Sequence, residues 1–122
     1  MEKKDFKTEL SRRIYIYSLR VIKLIKKMPR SIETDILGKQ LIRSATSIAA
    51  NLLEAKAASS KKDYINYYHY SLKSCNESKL WLALLRDTSN FEKNEIIMLY
   101  RETEEISKIL GASIITMKRK NI

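Results

Sequence analysis

Glycine occurs twice and proline once in 122 residues. So little turn-forming material argues against an all-β fold, which needs hairpins. The one cysteine, Cys75, has no partner for an internal disulfide, and no Cys/His spacing suits a zinc site. Histidine also occurs once, as His69, and a satisfied structural histidine is expected there rather than a catalytic base. No apolar run is long enough for a membrane span or signal peptide, so a cytoplasmic protein with no membrane partner is expected. Acidic residues are the scarcer charge, 14 against 24 Lys and Arg, for a net charge of +10. That imbalance repels itself unless polyanions are near, which makes nucleic acid the first partner to consider.

What the chain has in quantity is Ala, Leu, Ile, Lys and Glu, the residues of long helices. The length fits one domain, residues 1–122. Helix one is expected over 5–28, stopped by Pro29, with the seam Leu10, Ile14, Tyr17, Val21, Leu24 and Met28. Helix two is expected over 34–58, with Ser31 or Thr34 as N-cap and the seam Leu41, Ala45, Ile48, Leu52 and Ala55. Gly38 inside it marks a close approach or a frayed first turn. Helix three, over 61–87, opens at Ser60 with capping-box spacing to Asp63. One of its faces is Ile65, Tyr68, Leu72, Cys75 and Leu82, and His69 falls near the core side. Helix four, over 92–117, carries Ile96, Leu99, Thr103, Ile106, Leu110, Ile114 and Met117, with Gly111 at a possible close contact. Each helix is about 35–39 Å long. Short loops make neighbours antiparallel, so the expected fold is all-α: an up-down-up-down four-helix bundle.

Three surface features bear on function. Helix one has a basic ridge of Arg12, Arg13, Arg20, Lys23 and Lys27; Lys61, Lys62 and the C-terminal tail are further cations. Evenly spaced cations on a rigid helix track phosphates and give affinity without sequence readout. Tyr64, Tyr67, Tyr68 and Tyr70 are aromatic surfaces on which unpaired bases stack, although at helical spacing aromatics also serve core or interface. A polar line on helix two, Gln40, Arg43, Ser47, Asn51 and Glu54, is expected to face Ser74 and Glu77 on helix three. It reads either as a hydrogen-bonded register seam or as the lining of a ligand site or inter-subunit channel. Finally, Tyr15, Leu19, Ile22 and Trp81, with the run 80–85 and Leu53, exceed what one core absorbs, which predicts a homo-oligomer closing as a ring or dimer.

No enzyme emerges from these residues. A di-metal carboxylate bundle needs Glu-x-x-His pairs, and these are missing; no phosphate loop or nucleophile elbow occurs. No cofactor and no metal are expected.

The segments Gln40-Leu41, Arg43-Ser44-Ala45, Ser47-Ile48, Ala50-Asn51-Leu52 and Glu54, then Ser60 to Tyr64, then Ser74 and Glu77, carry a family pattern. The chain resembles the bacterial four-helix-bundle family first noticed in open reading frames within intervening sequences of large-subunit ribosomal RNA genes. It departs at Ala49, where the family often has Pro, and at Ala55, where many members have Gly. The resemblance implies a homopentameric ring with a central opening. It also implies a link to the accessory variability determinant of diversity-generating retroelements, a basic barrel that binds nucleic acid and a reverse transcriptase. No catalytic residue comes with it. The expected function is a non-enzymatic, RNA-preferring homo-oligomeric scaffold acting through phosphate contacts. The alternative is a protein-interaction accessory subunit, for example of a reverse transcriptase.

Overall fold

The computed structural model describes residues 8–120 and is helical throughout apart from short connections. Its elements are α1 (Glu9–Lys27), α2 (Ile32–Lys56), α3 (Lys61–Thr88) and α4 (Lys93–Arg119), with no strand among the described residues. Asp5, the expected start of helix one, lies outside the described residues.

Each helix boundary has a local cause. Thr8 Oγ1 accepts the Ser11 amide at 3.0 Å and starts α1. Met28 is extended, with ψ 136, because the following proline disfavours the helical region, so α1 stops at Lys27. Ser31, and not Thr34, caps α2. Thr34 sits at the third helical position and completes a reciprocal box, its hydroxyl accepting the Ser31 amide at 2.9 Å. Ser60 Oγ accepts the Asp63 amide at 3.1 Å at the start of α3. The α4 start is the weak one: Glu92 takes a left-handed φ of 49 and makes no side-chain cap. A non-glycine residue there costs about 1–2 kcal/mol.

The core is one cluster fed by all four helices, with Ile14, Tyr17, Val21, Leu41, Ile48, Leu82, Leu99, Ile106 and Leu110 within it. Gly38 is a close approach: a Cβ there would stand 3.1 Å from Ile25 Cγ2 on α1. Gly111 is not, since nothing lies within 4 Å of a Cβ at that position.

The α3 seam differs from the expected face. Ser71, Ser74, Cys75, Ser78, Leu82 and Leu85 are buried, while Ile65, Tyr68 and Leu72 are half-buried. The reason is the alanine-rich helix opposite. Small serines let α3 lie close against α2, and their hydroxyls find partners across the contact. Ser44 and Ser78 hydroxyls meet at 2.8 Å, and Ser71 Oγ donates to the Ile48 carbonyl at 2.6 Å. A buried polar group satisfied in this way adds stability and fixes register. Elsewhere in the core, Thr103 donates to the Leu99 carbonyl at 2.7 Å, leaving its oxygen to accept the Tyr17 hydroxyl at 2.6 Å. Burial pushes the Tyr17 phenol pKa up, and raises the Cys75 thiol to about 12.

Candidate nucleic-acid interface

The cations of α1 do not form one ridge. Arg13 holds Glu102 of α4 through a fork, Nε to Oε2 at 2.7 Å and Nη2 to Oε1 at 2.9 Å. Two turns on, Arg20 holds Glu95, with Nη2 to Oε1 at 2.9 Å and Nε to Oε2 at 3.4 Å. The seven-residue spacing on α1 thus meets a seven-residue spacing on α4, with numbering rising along one helix and falling along the other. Both guanidinium pKa values are raised, first by these hydrogen bonds. Arg12, Lys23 and Lys27 remain exposed with no ion pair among the described residues. Between Arg12 and Lys23 the surface is apolar, with Ile16 55% exposed and Leu19 38% exposed. The expected five-residue basic ridge is therefore corrected to Arg12 at one end and the neighbouring Lys23 and Lys27 at the other, on a partly apolar face. The physical reason is that α4 brings carboxylates to Arg13 and Arg20.

A denser group of free cations lies where α3 begins and α4 ends. Lys61 Nζ donates to the Lys120 backbone carbonyl, which ties the two helix ends together. Beside this tie is an open groove of about 390 Å³ lined by Lys61, Lys62, Ile65, Asn66, His69 and Lys118. The neighbouring Arg119 and Lys120 are exposed. Asp63 is the one acidic residue in α3 before Glu77, and α4 carries none after Glu105. His69 is not a satisfied core histidine, as its helical position suggested. It is half-exposed on this groove and makes no hydrogen bond among the described residues.

The tyrosines pair with one another. The Tyr64 and Tyr68 rings stack with centroids 5.1 Å apart, and Tyr67 and Tyr70 meet edge to face at 5.8 Å. Tyr64 and Tyr68 also wall a second open groove with Ile109, Ser113 and Met117 of α4.

The helix-two polar line is a surface ladder. Arg43 takes Glu77 across the α2–α3 contact and also donates to Gln40 Oε1 at 3.0 Å. Asn51 turns back to the Ser47 carbonyl at 2.9 Å, and Glu54 is exposed. Of the seven residues in that set, Ser74 alone is buried. The buried α2–α3 register contacts are Ser44, Ser71 and Ser78. The serine spacing 71, 74, 78 within a helix is the sequence signal for them.

Of the expected interface residues, Tyr15 and Leu19 are exposed and Ile22 is half-buried. Trp81 packs against the core of its own chain, and its indole N–H is buried without an acceptor. Further exposed apolar side chains lie at Ile32 and Ile36 on α2, Leu80 and Leu84 on α3, and Met98 and Ile115 on α4. Leu80 and Leu84 belong to the surplus apolar run 80–85 expected from the sequence; the other four were not singled out there. Among the described residues no three His, Cys, Asp or Glu side chains gather as a metal-ligand set. No helix of the described residues is long and apolar enough to cross a membrane.

The arrangement is a small all-helical protein of four helices about one core, consistent with a four-helix bundle. The chain belongs to the 23S rRNA-intervening sequence protein family, whose pattern matches residues 7–112. It is similar to a solved protein of unknown function from the S23 ribosomal protein family of Bacteroides thetaiotaomicron VPI-5482. The two share 30% identity with a TM-score of 0.77, over 86% of this chain and 97% of that one. No curated protein matches the sequence.

Proposed function

We propose that the protein is a non-enzymatic, homo-oligomeric scaffold that binds RNA through phosphate contacts. The observation that carries this reading is the segregation of charge. Carboxylates of α4 are spent on Arg13 and Arg20, while Lys62, Lys118, Arg119 and Lys120 face solvent with no ion pair among the described residues. Unneutralised cations of this density gain most from a polyanion, because each phosphate they meet releases condensed counterions. A family description that places these proteins in 23S rRNA intervening sequences favours RNA over DNA.

The helix order that goes with this reading is antiparallel and up-down-up-down, supported by the opposed numbering at Arg13–Glu102 and Arg20–Glu95. Self-association is supported by the exposed Ile16 and Leu19 on α1, and a pentameric ring is the form that the family resemblance implies. That same apolar strip also favours a second reading, an accessory subunit that docks on a protein such as a reverse transcriptase. Co-purification with such an enzyme, in a complex that survives nuclease treatment, distinguishes the second reading.

The test of the first is anisotropy of a labelled single-stranded RNA, a duplex RNA and a matched DNA, from about 50 to 300 mM KCl. Tight binding of RNA that weakens steeply with salt is expected. Absence of binding, or binding indifferent to salt, overturns it. Light scattering should give about five times the 14.3 kDa chain mass for the ring.

A further inference from the structure

We propose that the groove between the start of α3 and the end of α4 holds the terminal phosphate of an RNA strand, an inference that rests on the RNA-binding reading above. Four observations converge on it. The groove is open to solvent, about 390 Å³, and has room for a phosphate group to enter directly. It gathers three ammonium groups, Lys61, Lys62 and Lys118, from two helices. It adds two side chains able to donate directional hydrogen bonds, Asn66 and His69. Neither makes a hydrogen bond among the described residues.

The fourth observation is what the groove lacks. Asp63 is the nearest acidic residue along α3, and no carboxylate lines the groove; the Asp63 amide is already taken by Ser60. The side chains that line the groove are therefore cationic, donor or apolar.

Charge stoichiometry separates an end from an internal linkage. An internal phosphodiester carries one negative charge and two free oxygens. A terminal phosphomonoester carries nearly two charges at neutral pH and three acceptor oxygens. Three ammonium groups with an amide and an imidazole match the second far better than the first. Lys61 keeps donors to spare, since the Lys120 carbonyl uses one of its three N–H bonds. Ile65 on the groove wall gives the terminal ribose or base an apolar surface. The free cations Arg119 and Lys120 lie beside the groove, where the next phosphates of the strand would run.

The experiment uses the full chain and one short single-stranded RNA in three forms, with a 5′-phosphate, with a 3′-phosphate and with hydroxyls at both ends. The label sits at an internal position. At about 0.15 M salt, one phosphorylated form should bind about tenfold more tightly than the hydroxyl form. The paired change Lys62→Gln and Lys118→Gln should erase that difference. Arg12→Gln with Lys23→Gln on α1 should weaken all three forms alike and leave the difference in place. His69→Gln, which keeps a hydrogen-bond donor at that position, should retain part of it. Equal binding of the three forms by the wild-type protein overturns the groove assignment and leaves the RNA-binding reading standing. No binding of any form overturns both. Circular dichroism on each variant separates loss of the site from loss of the fold.

Discussion

Two groups of cations in this molecule carry the same charge and have opposite employment. Along the α1–α4 contact, Arg13 and Arg20 are held in forks by Glu102 and Glu95. At the α3–α4 corner, Lys62 and Lys118 line a groove with no carboxylate opposite them. The first group stabilises the fold a little. Partly exposed pairs of this kind contribute about 0.2–1 kcal/mol each, more when bidentate. The second contributes nothing visible to the fold, and its repulsion makes it a place where an anion is welcome. Net charge alone does not distinguish them; the position of the carboxylates does.

That difference can be broken from either side. The largest effect is expected at the corner. Lys62→Gln with Lys118→Gln should weaken RNA binding by about tenfold to a hundredfold at moderate salt, read by anisotropy, with no change in melting temperature. From the other side, Glu95→Gln with Glu102→Gln releases both arginines. RNA affinity should then rise severalfold, while the urea midpoint falls by an amount worth about 1 kcal/mol. If affinity does not move, the α1 face takes no part in binding even when its charge is free.

Smaller effects concern the frame that carries both regions. Tyr17→Phe removes the 2.6 Å contact to Thr103 and should cost about 1 kcal/mol in chemical denaturation, since Thr103 keeps the Leu99 carbonyl. The two glycines should part company. Gly111→Ala meets nothing and should gain up to about 1 kcal/mol from helix propensity. Gly38→Ala should gain less or lose, because the new methyl stands 3.1 Å from the Ile25 branch.

One pH dependence is expected on the alkaline side. Burial raises the Cys75 thiol to about 12, above its ordinary value of about 8.5. A raised acid keeps its full stabilising contribution below the unfolded pKa and loses it as pH climbs towards the folded one. Stability should therefore fall between about pH 8.5 and 12, with the buried Tyr17 phenol acting in the same direction. Cys75→Ala should flatten part of that slope in urea melts. In the folded protein at pH 8 the thiol should resist thiol reagents, and it should react once the chain is unfolded.

The fold was largely legible because its signals are local. The seams Ile14–Tyr17–Val21–Leu24, Leu41–Ala45–Ile48–Leu52 and Ile96–Leu99–Thr103–Ile106–Leu110 are all buried where the spacing put them. The α3 seam was harder, since its centre is Ser71, Ser74 and Ser78, which hydropathy reads as surface. Only the alanines opposite explain why serines can be core. The candidate site was less legible for a different reason. Whether a guanidinium is free depends on which helix lies beside it and in what register. Glu95 and Glu102 are 75 and 89 residues away in sequence from their partners. His69 was misplaced because a position near the core side at mid-helix can still open onto a groove near a helix end. Lys62 and Lys118 were identified as separate cations, and their convergence is tertiary.

The central claim is that the corner cations, and not the clasped arginines, carry RNA binding. Its most direct measurement is the slope of log affinity against log salt for one single-stranded RNA, compared among three proteins. Relative to wild type, Lys62→Gln with Lys118→Gln should lower the magnitude of the slope by about one to two. Arg13→Gln with Arg20→Gln should leave it unchanged, because Glu102 and Glu95 already hold those charges. A slope that falls with the arginines and not with the lysines would contradict the claim.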